Sequence, residues 1–272
     1  HARRDFTGKE LPSMAFNEIL LEKKEGVAVV TLNRPERFNS FTTRMYREFP
    51  RILDQLRRDD EVKAVILTGA GKGFCAGSDV SDRLGKRLKE DGEGSRFENL
   101  QRVGAMALDI TDFEKPIIGA VNGTAVGAGL SLALLCDIRL ASERARFGAV
   151  WLNVGLIPDV GATYSLPRIV GKEKAMALIL SREIIGADEA LKIGLVSKVF
   201  PHDQLMDEAR NLARSIATGP SVAVELTKRG LQRSLENDLR TQLDYETYAQ
   251  NICRQTEDHK EGIRAFAEKR KP

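Results

Sequence analysis

The segment that most restricts how this chain can fold is an apolar run, Ile117-Ile-Gly-Ala-Val121, that passes through Asn122-Gly123 and the bend Gly127-Ala128-Gly129. It continues as Leu130-Ser-Leu-Ala-Leu-Leu135. A strand that ends at a glycine-rich bend, followed directly by an apolar helix, needs cover on both sides and a backbone free to turn tightly. The first N–H groups of such a helix have no intrahelical acceptor, so they point into whatever cleft lies before the bend. That is the raw material of an anion or oxyanion site. Read by themselves, the same glycines serve equally well to let a helix pack close to a strand.

The surrounding pattern extends this into an α/β layer. Ile19 to Lys23 and Val27 to Asn33, separated by Glu25-Gly26, read as a two-stranded hairpin. Met45, Phe49, Ile52, Leu53 and Leu56 recur at helical spacing between Thr42 and Arg57, and Val62 to Thr68 reads as a buried strand. Ser81 to Gly94 is charged and poor in apolar periodicity, which predicts a loop that serves as a lid; a helix is expected around Glu98 to Phe113. Beyond Val170 helices dominate: about 173–180, 187–193, 205–217, 221–234, 239–251 and 258–268, with one strand at Leu195 to Phe200. The expected organisation is a leader or extension over 1–13, a core over 14–200 and a helical region over 201–272 whose amphipathic helices need a surface to cover.

Composition narrows the function classes. With 42 basic and 39 acidic residues the formal charge is +3, too slight to predict a nucleic-acid or membrane partner. Residues 1–13 lack an apolar stretch, so neither a signal peptide nor a membrane span is expected there. Cys75, Cys136 and Cys253 are odd in number and far apart, and the histidines are only His1, His202 and His259. No metal site is expected, and the compartment reads as reducing and cytoplasmic.

Several motifs now fall in order: Asn33-Arg-Pro35, Phe74-Cys75-Ala76-Gly77-Ser78-Asp79, Asn122-Gly123, Gly127-Ala128-Gly129, Cys136-Asp137, Gly155-Leu-Ile-Pro158, Gly186 to Val196 and Gly262 to Arg270. Through them the chain resembles the enoyl-CoA hydratase/isomerase (crotonase) family from about Phe16 to the end. The resemblance implies a spiral of ββα turns, a helical C-terminal trimerisation region and acyl-CoA thioester substrates on a homotrimer or dimer of trimers. Coenzyme A is then part of the substrate, and no separate cofactor is implied. The backbone N–H groups of Ser78 and Ala128 match the family's oxyanion donors. Ala76, Gly77, Asp79, Gly127 and Trp151 match positions around the acyl group, and Arg37 and Lys269, with Arg34, are candidates for the coenzyme A phosphates, Lys269 reaching from a neighbouring subunit.

The carboxylates choose the reaction. Family hydratases carry one glutamate on the helix after the second oxyanion donor and another about twenty residues on; here those positions are Ser131 and Trp151, neither of which is a general base at neutral pH. Asp159 instead matches the carboxylate of the family's Δ3,Δ2-enoyl-CoA isomerases and of its ring-epoxide phenylacetyl-CoA isomerase branch. From local sequence alone, Asp159 after Pro158 reads equally as a helix N-cap. The expectation is a double-bond isomerase using Asp159. The alternatives are a hydratase or another acyl-CoA hydrolase or lyase of the family, and a non-catalytic acyl-CoA or RNA-binding scaffold.

Overall fold

The computed structural model describes residues 17–79 and 103–271. The expected leader over 1–13, the expected lid over 81–94 and the start of the helix expected near Glu98 lie outside the described residues.

Glu25 and Gly26 both take positive φ, 53° and 77°, which makes the two-residue turn that matches the twist of the strands it joins. It sets β1 (Ile19–Lys24) antiparallel to β2 (Val27–Leu32). β2 then pairs in parallel with β3 (Ala64–Gly69), after the helix α1 (Met45–Arg57) has crossed between them. Every residue of β3 is buried, as expected of a parallel strand covered on both faces.

From β3 onward the chain spirals. It leaves the large sheet to form β4 (Gly73–Cys75) in a second sheet and returns through a helix over 103–111, α2. The next turn is β5 (Ile117–Val121), β6 (Thr124–Val126) and α3 (Ala128–Leu135). The third begins β7 (Ile138–Ser142) and β8 (Arg146–Gly148), followed by α4 (Ala162–Val170) and α5 (Lys172–Ser181). β9 (Ile184–Gly186) closes the small sheet antiparallel to β8, and after α6 (Ala187–Lys192), β10 (Lys198–Phe200) closes the large one beside β7. The sheet orders are β1-β2-β3-β5-β7-β10 and β4-β6-β8-β9, so each ββα turn gives one strand to each sheet. This is the crotonase spiral.

The period of two along the strands sorts the core. Ala28, Val30, Val65 and Leu67 face the inter-sheet core with the apolar face of α1, where Met45, Phe49, Ile52, Leu53 and Leu56 are buried. Full burial of a large aliphatic or aromatic side chain contributes about 1.5–3 kcal/mol, so α1 is fixed by this face rather than by propensity. Val27, Val29, Ala64 and Ile66 face the other way, onto Leu205, Ala209 and Ala213 of α7 (Leu205–Ala217). The expected strand at 195–200 shortens to β10 because 190–196 folds back as a turn, with Leu195 N–H donating to Ala190 O.

The last three helices are α8 (Ser221–Arg233), α9 (Leu239–Cys253) and α10 (Glu257–Ala267). Lys228 of α8 is buried and ties this helix to the core: its Nζ lies 2.7 Å from Asp137 Oδ2 and donates to Lys115 O. Asp137 in turn accepts the Ile117 N–H, consistent with a structural carboxylate at the start of β7.

Candidate active site

The cleft is built from two backbone segments that touch. After β4, residues 76–79 run beside Phe41: Phe41 N–H donates to Gly77 O at 2.7 Å and Asp79 N–H to Phe41 O at 2.9 Å. In an extended segment alternate residues direct their peptide groups to opposite sides, so the Ser78 N–H points away from Phe41. Among the described residues it has no acceptor. Gly77, at φ 89°, turns this segment against the bend before α3; a Cβ there would lie 3.0 Å from Val126 O and 3.5 Å from Ala128 N. No L side chain fits that approach.

Ala128 opens α3 behind Gly127, which supplies no side-chain cap. Its N–H is one of the orphan donors of a first helical turn and likewise lacks an acceptor among the described residues. Gly129 explains how the helix comes so near: its Cβ would sit 1.9 Å from Cys75 O. The glycines therefore serve close packing, and that packing carries two unpaired N–H groups onto facing backbones. Both readings of the motif hold together.

The third element is the loop from Trp151 to Gly161. Asp159 does not cap the following helix. The cap residue of α4 is Gly161, at φ 77°, with no side-chain cap, and the Asp159 carboxylate turns the other way to accept the Trp151 Nε1–H at Oδ1, 2.9 Å. The Asp159 main-chain oxygen accepts from Ser131 Oγ–H, 2.9 Å, and from Ala162 N–H, 3.0 Å. Ser131 lies on α3 three residues after Ala128, on the same face, about 4.5 Å further along the axis. Trp151 and Ser131 are buried. Val160, buried beside Asp159, sits at φ 51°, a left-handed conformation costing a β-branched residue about 1–3 kcal/mol. Such strain persists only where packing imposes it.

The other candidates separate by environment. Asp79 is buried and paired with Arg34, Nη1 to Oδ2 at 2.9 Å, with Ser40 Oγ at 3.4 Å. Arg34 also donates to Ser40 O, so it braces the 34–41 loop and is not an open cation. Ala76 spends its N–H on Phe38 O, 2.9 Å. Arg37 is exposed in the short turn Pro35–Arg37, and Lys269 is exposed at φ 54° just after α10. Cys75 lies behind the bend, where burial pushes its thiol up to about 12, so it is no nucleophile at neutral pH. Ser78 Oγ is 3.2 Å from Tyr46 Oη. Sequence reasoning singled out Asp159, Ser78 and Ala128; it missed that Ser131 and Trp151 both bond to Asp159. The available signal was that a buried indole N–H needs an acceptor.

The family description "Enoyl-CoA hydratase/isomerase" matches residues 22–272. The short-chain-enoyl-CoA hydratase of Clostridium acetobutylicum is 42% identical over 95% of this chain and 97% of that protein. The 1,2-epoxyphenylacetyl-CoA isomerase of Escherichia coli is 40% identical over 93% and 97%. Among solved structures, the enoyl-CoA hydratase from Bacillus anthracis superposes with a TM-score of 0.88 at 34% identity, covering 94% of this chain and 98% of that one.

Proposed function

Since the chain belongs to the enoyl-CoA hydratase/isomerase family, we propose that it shifts a double bond in an acyl-CoA thioester, with Asp159 as the proton carrier. The thioester oxygen accepts the N–H groups of Ser78 and Ala128. Asp159 takes a proton from C2, the dienolate charge rests on the oxygen between the two donors, and the same carboxyl returns a proton at C4. Each preorganised donor contributes about 3–4 kcal/mol to such a charge, and a positioned base about 10²–10⁴ in rate. The ring-epoxide phenylacetyl-CoA rearrangement calls on the same enolate chemistry and belongs to the same reading.

One observation carries it: the two places where family hydratases hold glutamates are Ser131 and Trp151, and both spend their hydrogens on Asp159, which leaves one carboxylate there and not two. Hydration is the second reading, favoured by the name of the Clostridium acetobutylicum relative. Product analysis separates them. With 3-hexenoyl-CoA the protein should form the 2-enoyl isomer, and with crotonyl-CoA it should add water at under about a hundredth of that rate. Comparable hydration of crotonyl-CoA would overturn the isomerase reading.

The same proposal gives Arg37 and Lys269 to the coenzyme A phosphates, Lys269 from a neighbouring subunit, and makes the protein a homotrimer or dimer of trimers. Support comes from α9, which buries none of its 15 residues, and from exposed Leu231, Leu235, Leu239, Leu243 and Phe266 on the last three helices. Sedimentation at micromolar concentration should return a species of at least three chains; a monomer would refute this part. Three free cysteines, two of them buried, fit the reducing cytoplasm proposed as its setting. Among the described residues no helix is long and apolar enough to cross a membrane.

A further inference from the structure

Resting on the reading of Asp159 as the base, we infer that Trp151 and Ser131 are positioning residues that fix which oxygen of Asp159 accepts the proton and where it stands relative to the Ala128 N–H. Neither touches the reacting atoms in this scheme; each acts through Asp159.

Three restraints meet on one residue. The Trp151 Nε1–H engages Oδ1 at 2.9 Å, well within hydrogen-bonding range, and the indole itself is held in the main core cluster at 5% exposure. Oδ2 has no donor among the described residues, so the bond differentiates two otherwise equivalent oxygens. The donor is neutral. It orients the carboxylate without placing a formal positive charge beside it, whereas an arginine would hold it as a committed ion pair.

The second restraint acts on the backbone. Ser131 Oγ reaches the Asp159 oxygen across 28 positions of sequence and springs from the helix whose first N–H is the proposed oxyanion donor. Donor and base are thereby referenced to one rigid element, α3, which is buried at seven of its eight residues. The third is the buried Val160 at φ 51°, which holds the loop in a conformation the sequence would not choose locally. Proton transfer needs the base placed to within a fraction of an ångström, and a misplacement of about 1 Å can cost on the order of 100-fold.

The test uses the full chain. Trp151 is the single tryptophan, so a proton–nitrogen correlation spectrum of isotope-labelled protein carries one indole N–H signal. Asp159→Ala should move that signal strongly upfield. Trp151→Phe keeps a buried ring but removes the donor: kcat on 3-hexenoyl-CoA should fall about tenfold, about 1.4 kcal/mol of barrier, with KM within about twofold. Ser131→Ala should lower kcat about 3–10-fold with the same KM behaviour. A purely structural role would instead lower the melting temperature and leave the kcat of the folded enzyme unchanged. Asp159→Asn runs alongside. If it is inactive while Trp151→Phe turns over at the wild-type rate, or if the indole signal ignores Asp159→Ala, the positioning inference fails and the base survives. If Asp159→Asn is as active as wild type, the base reading fails and takes the inference with it.

Discussion

Asp79 and Asp159 each adjoin one half of the proposed oxyanion site, Asp79 directly after Ser78 and Asp159 bonded to the helix that begins at Ala128, yet they are held in opposite ways. Asp79 is buried against the Arg34 guanidinium at 2.9 Å with Ser40 alongside. Protonating it would strand a partly buried cation, so its charge is committed to pinning the 76–79 segment against the 34–41 loop. Asp159 is partly buried, meets only the neutral Trp151 N–H through its carboxylate, and keeps one oxygen without a partner among the described residues. Proximity to the donors is common to both. What separates a candidate base from a brace is whether its charge is already spent.

Matched amide substitutions probe that contrast, and the larger effect belongs to Asp159→Asn. It should lower kcat on 3-enoyl-CoA by about 10²–10⁴ with acyl-CoA affinity within a few-fold, because the amide keeps the Trp151 contact through its oxygen but cannot accept a proton at neutral pH. Its melting temperature should stay within a few degrees of wild type. Asp79→Asn should do the reverse on a smaller scale. Stability should drop by about 1–3 kcal/mol as the charge-assisted bond to Arg34 weakens, while the folded enzyme keeps kcat within about fivefold. Steady-state kinetics and thermal melts on the two variants decide it; equal kinetic losses would erase the contrast.

Much of this arrangement was legible in the sequence, for identifiable reasons. The long elements carry strong periodicity: α1 with its buried stripe, β3 as a continuous apolar run, and the strand, bend and helix from Ile117 to Leu135. The small sheet was nearly invisible. β4, β6, β8 and β9 have three residues each, too few for a period of two to register, and they are defined by partners far along the chain. At the candidate site, Ser78, Ala128 and Asp159 were picked out through motif resemblance. Local sequence left Asp159 equally readable as an N-cap, and only the fold shows Gly161 in that place. The bonds from Ser131 and Trp151 depend on side-chain directions set by tertiary packing, which no spacing rule supplies. Val160 illustrates the same limit: nothing in a valine announces positive φ.

The most direct test of the claim that Asp159 is the proton carrier is a crystal structure of the Asp159→Asn protein with 3-hexenoyl-CoA bound. The thioester oxygen should lie about 2.7–3.1 Å from the N–H nitrogens of Ser78 and Ala128, with the residue 159 side chain within about 3.5 Å of both C2 and C4. A complex in which C2 faces Asp79 or another carboxylate, or in which the thioester oxygen is bound elsewhere, would contradict the account.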